Sequence, residues 1–135
     1  MSQGIAKASN LATFVRYHLP ALLFASAILT VSNIPNLRSP ELRFIPTDKL
    51  AHFLEYSIFA FLTFRSVSHI TLSVSNRTIF IVSLLILAIF AAIDEYFQRF
   101  VPGRVSDLAD YAADLAGAVL VLLFLGLRRW RLSEN

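Results

Sequence analysis

Four long apolar stretches govern what this 135-residue chain can fold into. They run roughly from Tyr17 to Ile34, Leu50 to Phe64, Thr78 to Ile93 and Ala112 to Leu127. A helix that crosses a bilayer core needs about 20 residues, with a range of roughly 17–25. The last three stretches reach that length only when polar residues at one end are counted with them. Those residues are Asp48, His52, Glu55, Asp94, Glu95, Asp110 and Asp114. Ionisable groups are thus expected at the margin of a membrane, where each is costly unless paired or hydrated.

Composition agrees. Hydrophobic residues make up 56% of the chain and charged residues 16%, against about a quarter charged in soluble domains. Mean hydropathy is +0.64. These values exclude an ordinary soluble domain and intrinsic disorder. With no cysteine, disulfides, Cys-ligated zinc and a thiol nucleophile are excluded as well. The expected fold is all-α: a single domain over 1–135, an integral membrane bundle of four transmembrane helices spanning roughly 15–34, 48–66, 77–98 and 108–128. The segment 35–47 holds three of the five prolines and reads as an irregular loop, and 66–76 as a short polar one. Ala25-Ser26-Ala27 has the form of a signal cleavage site, but the apolar run continues past it. The pI near 9.7 does not indicate nucleic acid, because the basic residues are scattered among apolar runs.

Charge sets the expected topology. With four spans, Lys7, Arg16, Arg65, Arg77, Arg128, Arg129 and Arg131 share one side with both termini. Arg38, Arg43, Lys49, Arg99 and Arg104 lie on the other. Seven basic residues against five place both termini in the cytoplasm. Of the acids, only Glu134 falls on that side. Trp130 among three arginines reads as an interfacial anchor.

The polar residues fall in stripes. Asp48, His52 and Glu55 stand at i, i+4 and i+7 on one helix face, bordered by Tyr56. Asp94 and Gln98 share a face of the third span, and Glu95 is spaced to pair with Arg99. Asp107, Asp110 and Asp114 form a stripe on the fourth, with Gly117 placed for close helix approach and Arg104 in the loop before it. Taken singly, each reads as an ordinary ion pair or packing group. Together they put acids, one histidine and arginine at one end of a bundle, where insertion penalises unneeded charge.

Several chemistries fit. His52 is a candidate acid–base group, oriented by Asp48 and Glu55. Asp94, Glu95, Asp110 and Asp114 are candidates to hold a substrate hydroxyl, an amine or a metal. Arg104 suits an anionic head group, and Gln98 and Tyr56 are candidate substrate contacts. The pattern demands no cofactor. A divalent metal is compatible with His52 and Glu55 joined by Asp94, Asp110 or Asp114. There is no phosphate-binding Gly-rich loop, no HExxH and no GxSxG. His18 and His69 look incidental.

The runs Asp48-Lys49-x-x-His52-Phe53-x-Glu55-Tyr56, Asp94-Glu95-x-x-Gln98-x-Phe100-x-Pro102-Gly103-Arg104 and Asp110-x-x-Ala113-x-x-x-Gly117 resemble the VanZ-like family. Ser32-Asn33-Ile34-Pro35 is similar to the end of that family's first span. The resemblance covers roughly residues 20–126. It implies a small bacterial integral membrane protein with four spans, in a family named for a protein linked to teicoplanin (glycopeptide) resistance. Localisation would be the bacterial cytoplasmic (inner) membrane. By this resemblance Asp48, His52, Glu55, Tyr56, Asp94, Glu95, Gln98, Arg104, Asp110 and Gly117 match motif positions. Asp114 departs from the family, which usually has Asn there. The expected function is an extracytoplasmic polar site that acts on or binds a lipid-linked or cell-envelope substrate. Membrane lipid or a cell-wall precursor would be the partner, and oligomers are compatible with it. A non-catalytic partner protein and a small proton-coupled transporter are the alternatives.

Overall fold

The computed structural model describes residues 10–36, 47–70 and 75–133. Four helices carry the chain: α1 (Asn10–Ser32), α2 (Thr47–Val67), α3 (Asn76–Gln98) and α4 (Leu108–Ser133). No strand occurs among the described residues. The expected loop residues 37–46 and 71–74, with Lys7, Arg38, Glu41, Arg43 and Glu134, lie outside them.

Three helices, α1, α3 and α4, are long and apolar enough to cross a membrane. This is one fewer than the four spans expected. The difference lies in α2, which carries Asp48, Lys49, His52, Glu55 and Arg65. Against the expected spans, α1 begins earlier, at Asn10, and ends at Ser32; α2 and α3 match within a residue at each end; and α4 runs on to Ser133.

Local chemistry explains several ends. Within α1, Phe14–His18 form a π-helical turn, in which the Leu19 amide reaches back to the Phe14 carbonyl. Pro20 follows directly and has no N–H to donate, which loosens the preceding ladder. Ser75 caps α3 by accepting the Thr78 amide at 3.1 Å. Asp107 caps α4 in the same way, its Oδ1 accepting the Ala109 amide at 2.9 Å. Between them Gly103 takes φ 78°, and Asn36 beyond α1 takes φ 57°. The two turns are joined by the Asn36 amide on the Pro102 carbonyl at 3.0 Å.

Helices consecutive in the chain run antiparallel, so α2 and α4 run parallel to each other. Lys49 at the start of α2 meets Asp107 and Asp110 at the start of α4. Ser32 at the end of α1 meets Asp94 near the end of α3. At the opposite end His18 of α1 bonds Ser66 of α2 at 2.8 Å, and Tyr17 stacks on His69 with centroids 3.5 Å apart. These two histidines, expected to be incidental, tie α1 to α2. So α2 runs the full length of the bundle despite its polar residues. Its closest partner is α4. Gly117 has no Cβ, and one placed there would strike the Phe53 carbonyl and lie 2.9 Å from Ser57 Oγ. That contact brings the two backbones together. The buried core follows along the same axis, with Ile28, Tyr56, Phe59, Ala60, Phe64, Ile79, Leu87, Ala91, Ala118 and Leu122. Leu23, Leu85, Ile89, Leu120 and Phe124 point outward, as lipid-facing residues would.

Candidate functional site

The acids gather at one end of the bundle. All seven Asp and Glu of the described residues lie at the starts of α2 and α4, the end of α3 and the turn that follows it. The helix polarity explains this: an antiparallel arrangement brings the starts of α2 and α4 beside the ends of α1 and α3.

Two pairs hold the deepest groups. His52 Nδ1 lies 3.0 Å from Asp114 Oδ1, with both residues buried. A carboxylate on Nδ1 favours the tautomer that donates there, which leaves Nε2 as the nitrogen for chemistry. Orientation of His52 was expected from Asp48 and Glu55; a hydrogen-bond partner also comes across the helix interface from Asp114. The other group is Asp94, whose Oδ2 accepts from Ser32 Oγ at 3.0 Å and from Gln98 Nε2 at 3.2 Å. The expected Asp94–Gln98 face thus closes on α1.

Glu95 behaves differently from expectation. Its Oε2 accepts from Ser106 Oγ at 2.8 Å and from the Asp107 amide at 2.9 Å. Arg99, one turn on, stands over the Tyr96 ring at 5.8 Å instead. The orphan donors at the start of α4 compete better than an exposed arginine. Arg104 Nη2 donates to the Val31 carbonyl at 3.3 Å, at the end of α1. Lys49 takes Asp107 at 2.8 Å and also bonds Asp110. The Lys49 ammonium and the Ala109 amide hold the Asp107 carboxyl below its ordinary value. Ser32, Lys49 and Ser106 were absent from the sequence-derived site. Lys49 was adjacent to Asp48 in the motif, and Ser32 opened the similar stretch at the end of the first span.

Polar atoms without a protein partner converge here. Tyr56, Asp94 and Asp114 are at most 1% exposed and Glu95 is 7% exposed. Among the described residues, Tyr56 Oη, Asp94 Oδ1, Glu95 Oε1, Asp114 Oδ2 and Arg104 Nε are buried without a hydrogen bond at this end, and Thr63 Oγ1 and Ser83 Oγ further along the bundle. Glu55 is half-buried and lies within electrostatic range of His52, Asp94, Asp114 and Arg104. For a metal, the donor atoms that converge belong to Asp48, His52 and Asp110, all within 4.8 Å of one another. Glu55, Asp94 and Asp114, expected as ligands beside His52, are not in that group.

A helical bundle with three helices long and apolar enough to cross a bilayer, and with buried acids at one end, is consistent with a small membrane protein whose polar centre lies at one end of its apolar body. The family model described as VanZ/LLP1 matches residues 1–129, and the chain belongs to that family. Comparison with curated proteins and with solved structures gave no match.

Proposed function

We propose that the acidic end of this bundle is a binding site for a lipid-linked, anionic substrate of the cell envelope, held where the membrane meets the outer aqueous phase. The observation that carries the reading is the set of buried, unpartnered atoms: Tyr56 Oη, Asp94 Oδ1, Glu95 Oε1, Asp114 Oδ2 and Arg104 Nε. Leaving one such group unsatisfied costs about 1–3 kcal/mol. Five at one end of one small bundle are better explained by a ligand that satisfies them than by packing. The mixture suits a phosphate-bearing head group with hydroxyls. Arg104 Nε donates to the anion, the carboxylates accept from hydroxyl or amine groups, and Tyr56 serves either way. His52, held through Nδ1 by Asp114, keeps Nε2 for the ligand side of the site.

The same reading places all four helices across the bacterial inner membrane. In support, α2 has 21 residues, about 30 Å of helix at 1.5 Å per residue, and it makes contacts at both ends of the bundle. Arg16, Arg65, Arg77, Arg128, Arg129 and Arg131 lie at the end opposite the acids, against Lys49, Arg99 and Arg104 beside them. The positive-inside rule then puts the termini in the cytoplasm and the acids outside.

Native mass spectrometry of the detergent-purified protein, beside Arg104→Gln, tests the site. The expected result is a co-purifying lipid or lipid-linked phosphate on the wild type that is lost from an equally stable variant. Bare protein in both samples, after incubation with polyprenyl phosphate, overturns the reading and favours a partner-binding role.

A further inference from the structure

We propose that Asp48, His52 and Asp110 bind one first-row divalent metal ion, with Asp114 orienting the histidine. The donor atoms of the three lie within 4.8 Å of one another. Two ligands on one ion, each about 2.0–2.2 Å from it, stand up to about 4 Å apart. Small side-chain rotations therefore close the set around an ion. Asp48 and His52 are one turn apart on α2, and Asp110 faces them from α4. Register between these helices is fixed nearby by Gly117 against Phe53, so the ligands belong to two elements that cannot slide freely.

Three further observations point to an ion and not merely to a crowd of acids. The first is the state of His52. Its Nδ1 is engaged by the Asp114 carboxylate at 3.0 Å, which leaves the Nε2 lone pair for ligation. Metal-bound histidines regularly have their second nitrogen held by a carboxylate, which fixes the ring and makes the ligating nitrogen more basic. The second is Asp114 itself. It is fully buried, and its Oδ2 has no partner. A carboxylate is an expensive group for merely orienting a neutral ring in an apolar bundle, but it suits a ring that carries a cation on its other side. The third is charge. Seven carboxyl side chains share this end with Lys49, Arg99 and Arg104, and Arg99 is turned onto Tyr96. An end so rich in negative groups, with little water around the deepest of them, attracts and retains a cation.

Lys49 does not exclude the ion. It bonds Asp110 through Oδ1 and also holds Asp107, and a carboxylate offers a second oxygen. One nitrogen and two oxygens match Zn2+, Mn2+ or Fe2+ and are unlike the thiolate sets that select softer ions. Three protein ligands leave coordination positions open, as in catalytic and not structural sites. An open position at this end of the bundle suits a phosphate oxygen. In this arrangement His52 is a ligand, and the half-buried Glu55 is the remaining acid–base group of the site.

The ion is read directly, without substrate. Protein purified without a polyhistidine tag is stripped with chelator and titrated with Co2+ as an optical probe. Bound Zn2+ is then counted by elemental analysis. The wild type is expected to hold one ion per chain and to show the ligand-field bands of Co2+ with nitrogen and oxygen donors. His52→Gln and Asp110→Asn should retain less than a tenth as much. Asp114→Asn keeps the shape and an oxygen for His52 Nδ1, and should bind about 10–100-fold more weakly. Its thermal stability should match the wild type, so weak binding there is not misfolding. Folded wild type that holds no Co2+ or Zn2+ overturns the proposal, as does binding that survives unchanged in His52→Gln. A lipid adduct on metal-free protein would sustain the substrate reading alone, and a bound ion without an adduct would sustain the metal alone.

Discussion

Gly117 is where a single atom decides how α2 and α4 meet. An added Cβ would strike the Phe53 carbonyl, which belongs to backbone and cannot swing away. Gly117→Ala should therefore cost about 1–3 kcal/mol through overpacking, read as a lowered melting temperature in detergent. Gly126 is the internal control. A Cβ there meets only Phe80 Cδ2 at 3.9 Å, an ordinary contact. Gly126→Ala should be neutral or stabilising by up to about 1 kcal/mol from helix propensity. Equal melting temperatures for the two variants would show that close approach at Gly117 does not set the helix register.

At the scale of elements, the turn between α3 and α4 depends on one side chain. Glu95 Oε2 accepts from both Ser106 and the Asp107 amide. Glu95→Ala should speed hydrogen exchange at the Asp107 amide by roughly tenfold or more, while Glu95→Gln, which keeps an acceptor, should change it little. Unchanged exchange in Glu95→Ala would mean that the turn holds itself. Lys49 ties α2 to the same turn. A carboxyl that titrates lower when folded stabilises the fold above its ordinary value, roughly pH 4. That contribution fades as pH falls through the lowered value. In Lys49→Met the Asp107 titration, followed by NMR, should move up toward the ordinary carboxylate range. An unmoved midpoint would assign the shift to the Ala109 amide alone. These elements also show what the sequence made legible. The four helices and the acidic stripes could be read because membrane insertion penalises stray charge, so Asp48, His52, Asp94, Asp110 and Asp114 stood out. The partnerships could not. Spacing along one helix suggested Glu95 with Arg99, but it says nothing about donors that arrive from another element, such as Ser106. The links of Lys49 to Asp107 and of Asp114 to His52 depend on helix register, which no periodicity encodes. The ties of His18 and His69 were missed for the same reason.

The whole molecule makes a prediction of its own. The chain has no native cysteine, so single cysteines report its orientation cleanly. Val105 is 81% exposed at the acidic end, and Ile70 is 66% exposed at the other. With four spans and cytoplasmic termini, Val105→Cys should react with an impermeant maleimide on intact cells, and Ile70→Cys only after lysis. Protection of the first or labelling of the second would overturn that orientation.

The separation of acids at one end from six arginines at the other also gives the molecule a direction in an electric field. With the arginines inside, an inside-negative membrane potential pulls on both ends in the sense that keeps the bundle as inserted. A full crossing is worth about 2.3 kcal/mol per charge for each 100 mV. The same field drives cations inward from the outer face, and the acidic end is the first part of this protein they would reach.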